Sequence, residues 1–362
     1  MLDSHGECER DTPACVKLRS VVVTQQEVQA QAGKVLTQVA GYVGVRTMQI
    51  GLRSGLLAEI SKHSEGITAP ALAKQTGMDD LYVDVWCRAA YASEVIDIGG
   101  DGGYTLAPHM DNLLLNEDFP GWIGGIPILL DEPEIFDVFE QRLESGQRTW
   151  WDKASSDFIA GVSDTGRPFY TRLIPNGLSQ IPGLSEKLES GASVAELACG
   201  AGTGLIKFAN AYPNCSVVGI DGDEFSLGLT REALSDSGLN DRVDVQYSTF
   251  EDWSPGQKFD MIFINISMHE CRDMQKTTQN VYNALNPGGY FVISDMPFPA
   301  TTEECRTVPA RVMCGIQFWE AQIDDQLLPT QDYVDLLSDN GFSGIESFDM
   351  SPVHMVVHGR RP

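Results

Sequence analysis

The sequence predicts an α/β chain: a doubly wound, mostly parallel seven-stranded sheet in the C-terminal half, preceded by a mainly α-helical part that ends in a β-hairpin. Three observations predict it. After Ser193 short apolar runs alternate with helical segments, the first of these runs enters a glycine-rich turn, and before about residue 115 the apolar residues recur at helical spacing. At 362 residues the chain is too long for one comfortable core and suits two domains at roughly 150 residues each.

Residues 1–24 mix Asp, Glu, Lys and Arg without a continuous apolar stretch and read as a flexible leader with no secretory signal. From Gln25 to His63, Val35, Val39 and Val43, then Ile50, Leu56, Leu57 and Ile60, keep helical spacing, and Gly51 and Gly55 are expected to break the run in two. Thr68 caps a short helix that ends at Gly77, a third helix spans Asp79 to Ser93, and Val95 to Leu106 forms a hairpin around its glycines. Three helices and a wing over residues 25–115 make a winged helix. Its third helix sets Asp79, Asp80 and Asp84 against Arg88, the wrong sign for a phosphate backbone. The helix before it is expected to offer an uncovered apolar face, so this domain should pair two subunits as a homodimer and roof a cavity rather than read DNA. Residues 116–190, rich in Pro, Gly and Trp, are expected to form connecting helices and the substrate-cavity region.

Residues 191–362 hold the sheet. Strands are expected at Val194 to Leu197, Ser216 to Ile220, Val243 to Tyr247, Met261 to Asn265 and Tyr290 to Ser294, with two more near Gly344 to Phe348 and Val353 to Val357. The first runs into Glu196-Leu197-Ala198-Cys199-Gly200-Ala201-Gly202-Thr203-Gly204, which places Gly200, Gly202 and Gly204 at a strand-to-helix turn that a ligand approaches closely. Asp221 ends the next strand, where an acidic side chain can grip both hydroxyls of a ribose. A dinucleotide turn spreads its glycines as GxGxxG to seat a pyrophosphate. Here the pattern is GxGxG preceded by Glu196, which suits a cofactor whose other end carries an ammonium and a sulfonium, S-adenosylmethionine.

These residues resemble class I methyltransferases, more narrowly the plant and bacterial small-molecule O-methyltransferases with an N-terminal winged-helix dimerisation domain. The resemblance is strong over residues 194–295 and architectural elsewhere. It implies that Ser248-Thr249-Phe250 stands where the family's Gly-Asp-aromatic loop holds adenine, with Thr249 in place of Asp. In Asn265-Ile266-Ser267-Met268-His269-Glu270 it implies that Asn265 lies at the cofactor, that His269 matches the catalytic base and Glu270 the acid after it, and that Asp295 is the carboxylate flanking the base. Asn286-Pro287-Gly288-Gly289 resembles the turn before the fifth strand. A His in a loop after a strand is also often merely hydrogen-bonded, and that alternative stays open.

Phe169, Tyr170, Met268 and Trp319, together with Trp122, Met313 and Phe318, could line a substrate cavity or be plain core. Arg172, like Arg167 and Arg311, could anchor a substrate carboxylate. His354 and His358 share one strand face and read as structural. The 51 Asp plus Glu against 25 Lys plus Arg, a formal charge of −26, disfavour nucleic acid and anionic membrane as partners. The eight cysteines show no paired zinc spacing, so no metal is expected, and their scatter suggests a reducing, cytoplasmic setting. The expected function is methyl transfer from S-adenosylmethionine to a small-molecule hydroxyl with His269 as base. The alternatives are S-methylation of a thioether or thiol acid, which needs no base, and a cofactor-binding regulatory protein that transfers nothing.

Overall fold

The computed structural model describes residues 24–362 apart from Asp101. The expected leader therefore lies almost wholly outside the described residues. Helix α1 (Gln25–Arg53) starts at a reciprocal cap in which Thr24 accepts from the Glu27 N–H while the Glu27 carboxylate accepts from the Thr24 N–H. The first break comes at Ser54 and Gly55, not at Gly51. Gly51 stays helical because it is a point of close packing, where a Cβ would lie 2.5 Å from the Trp86 ring and 2.9 Å from Leu57. Helices α2 (Leu56–Ile60), α3 (Ala69–Thr76) and α4 (Asp80–Ala92) follow, then the hairpin of β1 (Ile96–Ile98) and β2 (Tyr104–Leu106). Leu57, Leu72, Cys87 and Ile96 are fully buried in their shared core, and the Trp86 indole N–H donates to the Thr47 carbonyl to lock α4 onto α1.

The apolar face of α3 is covered here, contrary to expectation, with Ala69, Leu72 and Ala73 all buried. Uncovered apolar surface lies instead on α1, at Val35, Leu36, Val39 and Tyr42, and on α4, at Leu81, Tyr82 and Val85.

Short helices α5 (Gly125–Leu129) and α6 (Asp137–Arg142) lead into α7 (Ser156–Arg172) and α8 (Leu184–Ser190). The sheet then begins with β3 (Ser193–Leu197), α9 (Thr203–Ala211), β4 (Ser216–Asp221), α10 (Glu224–Asp236), β5 (Val243–Tyr247) and β6 (Phe259–Asn265). It continues with α11 (Met274–Ala284), β7 (Leu285–Asp295), α12 (Val308–Glu320), α13 (Thr330–Asp339), β8 (Ser343–Ser351) and β9 (His354–Arg360). Strand order is β5-β4-β3-β6-β7-β9-β8, parallel except for β9, which runs antiparallel to both of its neighbours. All seven expected strands are present. The Asn286 to Gly289 segment is absorbed at the start of β7, where the register jumps from Phe259 opposite Leu285 to Met261 opposite Tyr290 and Gly288 takes φ +76°.

The central strands read as unbroken apolar runs because both of their faces are covered. Val194, Met261 and Val292 face one core with Phe208 and Leu205 of α9, while Ala195, Ile262 and Phe291 face another with Val281 of α11 and Leu337 of α13. The chain winds outward through β4 and β5 on one side of β3 and through β6 and β7 on the other. The crevice at the carboxyl ends of β3 and β6 is therefore the place such a sheet offers a ligand.

Candidate active site

The glycine turn is built by backbone geometry that only small residues tolerate. Gly200 (φ +53°) and Gly202 (φ +83°) are left-handed, and Gly202 caps the start of α9. Gly204 is required for space rather than angle: a Cβ there would sit 2.2 Å from a Glu196 carboxylate oxygen and 2.3 Å from the Tyr170 ring. Glu196 is fully buried beneath this turn, and neither of its oxygens has a hydrogen-bond partner among the described residues. Burial raises its carboxyl to about 8, Tyr170 opposing and the nearby Asp221 charge reinforcing the shift. A buried carboxyl that prefers to be neutral and has only the Tyr170 side chain beside it suits a site completed by a cationic group.

Asp221 closes β4 and ties two loops together: one oxygen accepts from the Gly200 N–H and the other from the Asp223 N–H, both at 2.9 Å. Burial raises its carboxyl even so. It lines a cavity of about 290 Å³ with Ala198, Thr249, Phe250, Ser267 and Glu270 from the strand ends, and with Trp150, Trp151, Ile159 and Val162 opposite. Thr249 donates its hydroxyl to Asp252 at 3.0 Å, and the Phe250 carbonyl is pinned by Asn280. Asp221, Asp223, Glu251 and Glu270 set four carboxylates on this wall against the Arg272 guanidinium, which stacks 3.8 Å over the Trp150 ring. That set of acceptors matches a neutral nucleoside with a cationic tail and offers little to a pyrophosphate.

Asn265 is buried at the end of β6. Its carbonyl oxygen accepts from the Ser294 hydroxyl at 2.6 Å while its amide nitrogen has no partner among the described residues. Behind it, Arg172 donates to His354 Nδ1 at 2.9 Å, and His354 Nε2 stands 2.7 Å from the Ser294 hydroxyl. Burial, with Arg172 beside it, holds His354 well below the ordinary imidazole range. The ring is therefore neutral with its proton on Nε2, passing a hydrogen bond from Arg172 through Ser294 to Asn265. His354 is structural in this sense. Arg172 is committed to His354 and to the Pro120 carbonyl, and burial lowers it to about 10.

After β6 the chain turns through Ile266 at φ +48°, an uncommon backbone for a β-branched residue and a form of strain concentrated at functional sites. It presents His269, which is buried with Nδ1 3.0 Å from both oxygens of Asp295. Asp295 is held in turn by the Tyr333 hydroxyl at 3.0 Å and the Met296 N–H at 2.8 Å. On the other side, His269 Nε2 faces a Glu320 oxygen of α12 at 3.7 Å. Burial alone would lower the imidazole, but Asp295 and Glu320 together hold it well above its ordinary value. Glu270 beside it is raised by burial and by Glu320, and Asp325 is raised to about 6 for the same reasons.

The residues expected to bind substrate, Phe169, Tyr170, Arg172, Met268 and Trp319, are not among those lining this cavity. Met268 is fully buried in the sheet core, Phe169 packs with Met296 and Met313, and Trp319 meets Trp151 edge-on and Phe158 at a tilt. Tyr170 supports Glu196 and Gly204. Sequence reasoning passed over Glu320 and Tyr333, and placed Trp150 and Trp151 only within the connecting and substrate-cavity region. Glu320 carried one faint signal, as the one acid of α12, directly after Phe318-Trp319.

Fold and site together define the class I methyltransferase fold, the architecture whose cofactor is S-adenosylmethionine. Residues 188–341 match the family model described as a methyltransferase domain. Trans-aconitate 2-methyltransferase of Variovorax paradoxus is 29% identical over 175 residues, 46% of this chain and 62% of the relative. The same-named protein of Escherichia coli K12 is 27% identical over 158 residues, 42% of this chain and 58% of the relative. The chain thus spans about three fifths of the length of these relatives. Similarity to solved structures runs further: PigF with SAH aligns at a TM-score of 0.68 with 17% identity, covering 93% of this chain and all of that one. Human N-acetylserotonin methyltransferase in complex with SAM aligns at 0.65 with 13% identity, covering 91% of this chain and 98% of that one. Among the described residues no helix is long and apolar enough to cross a membrane.

Proposed function

We propose that this protein transfers the methyl group of S-adenosylmethionine to a hydroxyl of a small molecule, with His269 as general base. The observation that carries the proposal is the imidazole fixed at Nδ1 by Asp295, its neighbour Glu270 on the wall of the carboxylate-lined cavity. Gly200, Gly202 and Gly204 let the cofactor approach the main chain, Asp221 grips its ribose, Thr249 and Phe250 flank its adenine, and Glu196 and Asn265 lie toward its cationic end. When bound, the cofactor supplies an activated methyl on a sulfonium. The chain's residues align the acceptor and exclude water, an alignment worth roughly 7–11 kcal/mol of barrier. The hydroxyl proton passes to His269 Nε2 as the oxygen takes the methyl carbon and the carbon–sulfur bond pair stays on sulfur.

Because only a neutral ring accepts a proton and this one is held well above its ordinary value, activity should rise with pH above the usual imidazole range. The same observation favours a second reading, transfer to a thioether sulfur, which has no proton to lose. Asp221→Ala should weaken S-adenosylmethionine affinity by about 1–3 kcal/mol, the cost of stranding hydrogen-bonded groups. Unchanged affinity by titration calorimetry would defeat the ribose assignment.

Residues 25–115 serve as a dimerisation domain in this account, because Val35, Leu36, Val39 and Tyr42 of α1 form a stripe more than half exposed in one copy. Light scattering should give a dimer mass that Val39→Glu with Tyr42→Glu reduces to monomer. A monomeric native chain would contradict this.

A further inference from the structure

We propose that the acceptor carries a protonated amine, received by Glu270 and Glu320 with Asp325 behind them, and that carboxylate-bearing acceptors are excluded. This rests on the methyltransferase reading and names the acceptor class. Glu270 lines the cavity, and behind it Glu320 and Asp325 lie close to one imidazole whose Nδ1 is already taken by Asp295. Arg272, the guanidinium on the cavity wall, is turned over the Trp150 ring.

The second observation is a set of stranded atoms. Glu320 Oε2 and Asp325 Oδ2 are buried without a hydrogen-bond partner among the described residues, and Glu320, only 3% exposed, has His269 Nε2 no closer than 3.7 Å. Polar atoms this deep are normally satisfied, so their shared space is shaped for a donor. One ligand atom each from His269, Glu270 and Glu320 falls within a spread of 4.8 Å.

The carboxyls here already resist ionising. Burial first and the Glu320 charge second hold Glu270 well above its ordinary value and Asp325 near 6, so a further anion would add to the repulsion and an ammonium would relieve it. The aromatic wall of Trp150 and Trp151 suits the apolar body of such an acceptor.

The test uses the full chain saturated with S-adenosylhomocysteine and two probes alike in ring and hydroxyl but opposite in charge, tyramine and 4-hydroxyphenylacetate, titrated by calorimetry. Tyramine should bind at least about tenfold more tightly, and Glu270→Gln should shrink that ratio to a few-fold. Asp325→Asn, farther from the cavity, should shrink it in a variant less prone to disturb the loop after β6. Equal or reversed preference, binding of neither probe at millimolar concentration, or a ratio unchanged in both variants overturns the proposal. So does stoichiometric uptake of zinc or manganese at this cluster that blocks tyramine. Failure of S-adenosylhomocysteine itself to bind defeats the underlying reading as well, whereas its binding without amine preference defeats this inference alone.

Discussion

Asp295→Ala is expected to destabilise the protein by about 3–5 kcal/mol and to lower turnover on the order of a hundredfold. The side chain is fully buried and satisfies three donors at once: His269 Nδ1, the Tyr333 hydroxyl and the Met296 N–H. Removing it strands all three in a site that water does not reach. Asp295→Asn separates charge from shape. It keeps an oxygen for Tyr333 or His269 but removes the anion that opposes burial at the imidazole, so the His269 value should fall. The alkaline rise in activity should then move to lower pH while the protein stays folded. Denaturant melts alongside pH–rate profiles read both effects, and a profile unmoved by Asp295→Asn would show that His269 is not the titrating base.

His269→Ala should lower turnover by a factor of about a hundred or more while leaving S-adenosylhomocysteine affinity nearly intact. The imidazole touches Asp295 and Glu320, not the glycine turn or Asp221, so its loss falls on chemistry and not on cofactor binding. Its effect on stability has a definite sign. The folded-state value is raised, so the contribution is complete below about pH 6.5, the ordinary imidazole value, and is lost as pH rises through the raised one. The wild type should thus lose stability at alkaline pH relative to His269→Ala, with the gap closing toward that limit. If the acceptor is a thioether, the turnover loss is small and appears mainly as a raised Michaelis constant. A flat pH profile with a small loss would move the assignment from oxygen to sulfur.

The sheet was legible because strands covered on both faces leave a strong imprint: Val217, Val218 and Ile220, or Ile262, Phe263 and Ile264, have no place to put a polar residue. Asp221 was legible through its distance from the glycine turn. His269 and Asp295 were singled out through the resemblance to the methyltransferase family, because a histidine after a strand is by itself often merely hydrogen-bonded. What escaped is tertiary. Glu320 reaches His269 from a helix in the insert after β7, and Trp150 and Trp151 reach the cavity from the connecting region, with no periodicity or spacing to announce either. The helical part shows the same division. Spacing marked α1 and α3 as amphipathic, but which apolar face finds a cover depends on neighbours that periodicity does not name. Gly51 and Gly55 look alike in sequence, yet one is pressed against Trp86 and the other opens a turn at φ +75°.

The most direct test of the account is to incubate the full chain with S-adenosylmethionine labelled in its methyl group and a panel of hydroxylated and thioether amines, following label and cofactor product together by mass spectrometry. The account predicts that one or more acceptors gain the label in step with S-adenosylhomocysteine release, and that Asp221→Ala and His269→Ala each suppress the gain. Tight binding of S-adenosylmethionine with no label leaving it on any acceptor would contradict the account, leaving a protein that holds the cofactor without transferring its methyl group.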